Sequence, residues 1–95
     1  MKVYIAGKIT NNPNYVEEFE AAEKFLKETQ GVDVINPAKN QGYSYREYIN
    51  MGLFQLMQCD AIYLLPNYKD SQGALLEYQY AETVGMRIWE KRENL

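Results

Sequence analysis

Short apolar runs alternate with longer amphipathic stretches along the chain. Lys2–Ala6 is rich in β-branched and aromatic residues and leads into Gly7, which is typical of a buried strand that ends in a turn. Tyr15–Thr29 carries apolar residues at helical spacing, after a candidate N-cap at Asn14. The alternation predicts strands at Lys2–Ala6, Val32–Ile35, Asp60–Leu65 and Met86–Glu90, and helices at Tyr15–Thr29, Tyr45–Cys59 and Ala74–Val84.

This alternation predicts a small doubly wound α/β fold, Rossmann-like or flavodoxin-like, with residues 1–95 forming one domain. We expect a four-stranded parallel sheet of order 2-1-3-4 with three crossover helices, the first on one face and the other two on the opposite face. Ligands of such sheets bind at the switch point, at the carboxyl ends of strands 1 and 3. The charged tail beyond Glu90 is expected to fray.

Composition narrows the chemistry. The chain has 95 residues, nine tyrosines, one cysteine and no histidine. Nucleophile pairs and metal sites that need histidine are therefore excluded, and acid–base chemistry near neutral pH must fall to carboxylates, tyrosines, the single Cys59 or lysines. We expect no cofactor and no metal.

Charge, hydropathy, cysteine content and chain length indicate which partners and which compartment to expect. The formal net charge is −3, which argues against a nucleic-acid partner. No stretch approaches the roughly 18 apolar residues of a membrane span. A single cysteine suits a reducing compartment, so we expect a cytoplasmic protein with no membrane partner. A chain this short buries little surface, so we also expect a homo-oligomer, dimer or higher.

Two loops converge on the predicted switch point. Gly7, Lys8 and Ile9 follow the first strand, and Pro66–Gly73 follows the third. Gly7 would let a ligand approach the backbone, although a turn glycine at a strand end explains it equally well. Neither the dinucleotide fingerprint nor the P-loop spacing is present.

The start of the third helix carries the strongest candidate chemistry. Ser71 and Gly73 stand where exposed amides and a hydroxyl would suit a phosphate. Glu77 lies about one turn further, among apolar neighbours, which suits a nucleophile or an acid–base group. The alternative is a glutamate favoured there by the helix dipole.

Several other residues have simpler interpretations. Tyr43 and Tyr45 lie near the predicted cleft and could stack on a base, whereas packing explains most other tyrosines. Residues of the core or of an interface are Met51, Met57, Cys59 and Trp89. A solvated face of the first helix is expected for Glu17, Glu18, Glu20 and Glu23.

These segments together resemble the nucleoside 2-deoxyribosyltransferase-like superfamily over nearly the whole chain. The similarity is greatest to its short DUF4406-type members, known from phages and bacteria, and to the 2′-deoxynucleoside 5′-monophosphate N-hydrolases. The segments that carry the resemblance are Val3–Gly7 with Ile9, Val34–Ala38, Cys59–Pro66, and Asp70–Ala74 with Glu77.

The resemblance implies a glutamate nucleophile that attacks C1′ and expels the base. Glu77 matches that nucleophile, Ser71 matches the serine that holds the 5′-phosphate, and Tyr4 matches a tyrosine that assists the nucleophile. Oligomers complete the pockets in this family. The substrate-binding residues that we expect from the loops and the resemblance are Gly7, Lys8, Ile9, Asn36, Pro37, Asp70, Ser71 and Gly73.

One position departs from the family pattern. Where the family has an aspartate that transfers the proton to the base, this chain has Gly52. The glycine could make room, and Asn50, Glu47 or Asp70 could stand in for the missing carboxylate. A second departure is Tyr78, where the transferases usually have glycine.

Three functions therefore stay open. The first is an N-glycosidase or deoxyribosyltransferase acting on a nucleoside or nucleoside 5′-monophosphate. The second, motivated by Gly52, is a catalytically impaired nucleotide-binding protein that senses or sequesters its ligand. The third is a structural α/β domain whose tyrosines form an interface.

Overall fold

The computed structural model describes residues 1–91 and shows four strands and three α-helices in strict alternation. The strands are β1 (Lys2–Ala6), β2 (Asp33–Ile35), β3 (Ala61–Leu64) and β4 (Arg87–Glu90), and the helices are α1 (Tyr15–Gln30), α2 (Tyr45–Met57) and α3 (Gln72–Thr83). Two 3-10 turns, Pro37–Lys39 and Tyr68–Asp70, interrupt the predicted loops. Residues 92–95, which hold most of the tail predicted to fray, lie outside the described residues.

The predicted sheet topology is confirmed. All pairings are parallel and the strand order is β2-β1-β3-β4. The two central strands pair from Val3 with Ala61 to Ala6 with Leu64. Every residue of β3 is buried, as expected for a parallel strand that is covered on both faces.

Side-chain alternation along β1 divides the core between the two faces. Val3 and Ile5 pack with Phe19 and Leu26 on the α1 side. Tyr4 points to the opposite face, which α2 and α3 cover. The strand period thus places the tyrosine on the same side of the sheet as α3.

The ends of the helices differ from prediction where side chains compete for backbone groups. Ser71 Oγ accepts a hydrogen bond from Ala74 N at 3.1 Å, so α3 begins at Gln72, two residues before the predicted start. α2 begins at the predicted Tyr45, after a capping box formed by Ser44 and Glu47. Asn14 occupies the predicted N-cap position of α1, but its side chain makes no capping hydrogen bond.

The acidic face predicted for α1 is only partly solvated. Glu17 and Glu20 are exposed, but Glu23 is buried. Its carboxylate accepts hydrogen bonds from Lys27 and Lys39 and, at 3.1 Å, from Asn36. Burial alone would raise the pKa of Glu23, but these hydrogen bonds lower it to about 2.

The residues predicted for the core or an interface divide in the structure. Cys59 is buried, and burial raises the pKa of its thiol to about 11. Trp89 is partly buried against the α1-side core. Met57 is 56% exposed, so it does not belong to the core. None of the helices within residues 1–91 combines the length and apolar character needed to cross a bilayer.

Candidate active site

A cleft of about 460 Å³ opens at the carboxyl ends of β1 and β3, where the strand order reverses. Three segments form most of its wall: the loop after β1, the first turns of α2, and the start of α3. The lining residues are Tyr4, Ile5, Gly7, Lys8, Ile9, Thr10, Asn11, Pro37, Asn40, Tyr45, Tyr48, Ile49, Asp70, Ser71, Gln72, Gly73, Ala74 and Glu77.

Glu77 and Tyr4 form a buried pair in this cleft. The Tyr4 hydroxyl donates a hydrogen bond to Glu77 Oε2 at 2.5 Å, between residues 73 positions apart in the sequence. Glu77 Oε1 accepts no hydrogen bond from the described residues. Since every fully buried side-chain oxygen or nitrogen among them has a partner, Oε1 keeps contact with solvent. One carboxylate oxygen is therefore held and the other is free for a ligand.

Burial changes the titration of both groups. It raises the pKa of Glu77 to about 7, against a smaller opposing effect of the Tyr4 hydrogen bond. Burial and the neighbouring carboxylate raise the pKa of the Tyr4 hydroxyl well above its ordinary value. Near neutral pH, Glu77 thus exists in both protonation states beside a hydroxyl that keeps its proton.

Gly52 leaves the space that the pair occupies. A Cβ atom at this position would lie 2.5 Å from Glu77 Oε2 and 2.8 Å from the Tyr4 hydroxyl. These distances are shorter than van der Waals contact, and both atoms belong to buried side chains. Any side chain at position 52 would therefore displace the carboxylate or the hydroxyl.

The start of α3 places a hydroxyl and a glycine at the same cleft. Ser71 caps the helix and lines the cleft, and a serine hydroxyl that accepts one hydrogen bond can still donate another. Gly73 is packed closely, because a Cβ there would lie 2.8 Å from Ile49 Cδ1. The positive end of the helix therefore opens onto the cleft.

Comparison with known proteins identifies the chain. The model of the family described as "Domain of unknown function (DUF4406)" matches residues 1–90. The chain belongs to the DUF4406 family.

Solved structures agree with this assignment at the level of the fold. The DUF4406 chain is similar to the 2-desoxiribosyltransferase from Leishmania mexicana, with a TM-score of 0.72 and 22% sequence identity. The match covers 94% of this chain, which spans 62% of the length of that structure. The fold is thus nucleoside 2-deoxyribosyltransferase-like. No curated protein sequence matches the chain.

The DUF4406 chain brings most of the predicted site residues together. Glu77, Tyr4, Gly7, Lys8, Ile9, Pro37, Asp70, Ser71 and Gly73 all line the cleft. Gly7 has a packing role as well, because a Cβ there would lie 2.8 Å from Leu65 Cδ1. Close packing against Leu65 therefore explains why a glycine stands at this position, whether or not a ligand binds there.

Asn36 is the exception among the predicted binding residues. It is buried and does not line the cleft. Its side chain accepts a hydrogen bond from Ala38 N at 3.0 Å and donates one to Glu23 at 3.1 Å. Asn36 therefore holds the turn after β2, and the expectation that it contacts substrate is corrected.

One face of α2 supplies cleft residues that the sequence interpretation missed. Tyr48 and Ile49 were not among the predicted site residues, yet they line the cleft together with Tyr45. Together with Gly52 they form a stripe at helical spacing, which could have indicated the shared face. Tyr43 instead packs edge-on against Tyr48, with ring centres 5.8 Å apart.

The three residues considered as substitutes for the missing aspartate lie in different places. Asp70 lines the cleft. Glu47 is exposed and is engaged in the cap of α2, and Asn50 is exposed outside the cleft. Among residues 1–91, no group of three or more Cys, Asp or Glu side chains is placed to hold a metal ion.

Proposed function

We propose that this protein cleaves the N-glycosidic bond of a nucleoside or nucleoside 5′-monophosphate, with Glu77 as the nucleophile. The sugar then passes either to water or to a second base. The observation that carries the proposal is the buried Glu77 carboxylate, which has one oxygen held by Tyr4 and the other open to the cleft. The similarity of the fold to a deoxyribosyltransferase supports the same reaction class.

The reaction proceeds in two displacements. Glu77 Oε1 attacks C1′, a C1′–O bond forms, and the C1′–N bond breaks as the base leaves with its electron pair. A water molecule or a second base then attacks C1′ and releases the carboxylate. The attacking water loses a proton, whereas the departing base gains one. Tyr4 orients the carboxylate throughout by donating to Oε2.

Asp70 is the residue to which we assign proton transfer. The departing base needs a proton, and Gly52 supplies none. The cleft lining within residues 1–91 includes two carboxylates, Glu77 and Asp70. Since Glu77 is committed to C1′, Asp70 is left to protonate the base, directly or through water.

The remaining lining suits the other parts of a nucleoside. Tyr45, Tyr48 and Ile49 offer an aromatic and aliphatic wall on which a base can stack. Ser71 and Gly73 lie at the positive end of α3, and Lys8 lines the same cleft, so these residues suit an anionic sugar substituent.

Release of free base from a panel of nucleosides and 5′-monophosphates tests the function. We expect base release by the wild-type protein and a loss of at least about a thousandfold in Glu77→Gln, which keeps the shape but not the nucleophile. Glu82→Gln, which changes an exposed glutamate of the same helix in the same way, is the matched control. Equal rates in wild type and Glu77→Gln would refute the proposal.

Ser71→Asp decides the phosphate state. Aspartate also caps helices, so α3 should stay intact, while its charge repels a phosphate. We expect the variant to lose turnover of monophosphates while turnover of nucleosides is kept. Retained turnover of monophosphates would exclude phosphate binding at Ser71.

Gly52 favours the second candidate, a protein that binds nucleotides without cleaving them. The space of the expected proton donor is filled by Tyr4 and Glu77. Calorimetry that shows nucleotide binding, with no base released in long incubations, would favour this candidate. Gly52→Asp should not create activity, because the new side chain collides with Glu77. If no nucleotide binds, the chain serves as a structural domain.

We also propose that the protein works as a homo-oligomer. Phe54 and Met57, one turn apart on α2, are 63% and 56% exposed. Apolar side chains exposed to this extent on one helix face favour contact with another subunit. α2 also lines the cleft, so a subunit packed on it would lie near the candidate site.

A further inference from the structure

We propose that Glu18, which does not line the cleft, positions the loop between β1 and α1 and thereby places Lys8 in the substrate cleft. The inference rests on the function proposed above for the cleft, but its structural part can be tested without any turnover.

Two asparagines connect Glu18 to the backbone of Lys8. Asn67 accepts a hydrogen bond from Lys8 N at 3.1 Å, and Asn12 donates one to Lys8 O at 2.8 Å. Both amide groups also donate to Glu18 Oε1, Asn12 at 2.8 Å and Asn67 at 3.3 Å. The two backbone polar groups of Lys8 are thus held by side chains that share one carboxylate oxygen.

The network joins segments that are far apart in the sequence. Asn12 belongs to the β1–α1 loop, Glu18 to the first turn of α1, and Asn67 to the loop after β3, 49 residues from Glu18. These two loops form opposite sides of the switch point. Glu18 therefore fixes one loop against the other, not merely within itself.

The loop that Glu18 holds supplies a continuous part of the cleft wall. Residues 7–11 all line the cleft and lie outside helix and strand. Asn11 adopts a left-handed conformation, with a φ of 60°. The position of such a segment depends on side-chain anchors, because it has no ladder of backbone hydrogen bonds of its own.

The backbone of Lys8 is fully engaged, which leaves its side chain for the ligand. Because Asn67 accepts from Lys8 N, that amide is not free to bind an anion. The ammonium group is the part of Lys8 that can meet substrate in the cleft. Loss of the anchor should therefore weaken substrate binding more than it slows the chemical step at Glu77.

Glu18→Ala tests the proposal, with Glu17→Ala as the matched control. Glu17 precedes it in the same helical turn, carries the same charge and is exposed. We expect Glu18→Ala to raise KM about tenfold with kcat changed less than about twofold, and Glu17→Ala to leave both unchanged. Glu18→Gln keeps an acceptor oxygen and should restore most of the wild-type KM.

Hydrogen exchange of the Lys8 amide provides the readout that needs no activity. Its exchange should be about tenfold faster in Glu18→Ala than in the wild type, and unchanged in Glu17→Ala. Asn67→Ala, which removes the acceptor for this amide, should reproduce the same effect and provides a second variant if Glu18→Ala folds poorly.

The outcomes separate the inference from the proposed function. If the Lys8 amide exchanges at the wild-type rate in Glu18→Ala while Asn67→Ala exchanges faster, or if neither variant changes the rate, the inference is wrong. Faster exchange with an unchanged KM also overturns it, because the loop would then not place the substrate. If no nucleotide is cleaved by any form, the proposed function fails, and the exchange rates still decide whether Glu18 holds the loop.

Discussion

At the scale of single residues, the buried carboxylate of Glu77 links function to stability. Its pKa is about 7 in the folded protein, against an ordinary value of 4.5. The folded state therefore binds more protons than the unfolded chain between these values. The free energy of unfolding should fall as pH rises through this range, by about 3 kcal/mol when titration is complete.

Glu77→Gln removes this titration, so its stability relative to the wild type should increase with pH. Chemical denaturation of the variant and the wild type at about pH 5 and about pH 8 measures the difference. We expect the difference to change by about 2.5 kcal/mol in favour of the variant at the higher pH, because part of the titration is already complete at about pH 5. A difference that is constant across pH would contradict a raised pKa at Glu77.

Gly52→Ala reverses the usual effect of replacing a helical glycine. Alanine ordinarily stabilises a helix by about 1 kcal/mol relative to glycine. Here the added methyl group would lie 2.5 Å from Glu77 Oε2. We expect a net loss of about 1–3 kcal/mol in the free energy of unfolding, together with loss of activity.

The control for Gly52→Ala is Asn50→Ala, an exposed position on the same helix. It should gain a few tenths of a kcal/mol. A Gly52→Ala variant that is as stable and as active as the wild type would show that the pair does not need the space.

At the scale of elements, Glu23 joins α1 to the turn after β2. Its carboxylate is hydrogen-bonded to Asn36 and Lys39 from that turn, and to Lys27 within α1. Because the pKa of Glu23 is lowered from its ordinary value of 4.5 to about 2, its ionised carboxylate stabilises the fold fully at pH values above 4.5. The stabilisation is lost as pH falls through 2.

Glu23→Gln should therefore be destabilised at neutral pH. We expect a loss of about 1–2 kcal/mol in the free energy of unfolding at about pH 7. The loss is limited because both lysine side chains are more than half exposed, so that solvent screens their interaction with the carboxylate. The difference should shrink as pH falls from 5 towards 2. The exposed Glu20→Gln is the control, and an equal loss in both variants would refute the role of Glu23.

At the scale of the whole molecule, the proposed homo-oligomer depends on the exposed apolar face of α2 that holds Phe54 and Met57. Light scattering should give a mass above that of one chain for the wild type. Phe54→Glu with Met57→Glu should lower it to that of the monomer, because each charge would be buried at the contact. Val16→Glu on α1, across the sheet, should leave the mass unchanged. A wild-type monomer at micromolar concentration would exclude the oligomer.

Much of the fold could be predicted because its signals are local. β1 was predicted with its observed bounds because a short β-branched run ends at a glycine turn. The strand order followed from connections that are right-handed and nearly always short. The start of α3 was missed by two residues, since that boundary depends on the Ser71 side chain reaching back to the backbone.

The sequence by itself determined the alternation of strands and helices, the switch-point cleft, and the candidacy of Glu77 within α3. These features depend on side-chain period and on connectivity, which are written along the chain. The tertiary structure alone decided that Tyr4 binds Glu77, that Gly52 leaves the space for both, that Glu18 accepts hydrogen bonds from two asparagines, and that Glu23 is buried. Each depends on partners brought together by folding from distant or separate segments, and no local pattern specifies which atoms meet there.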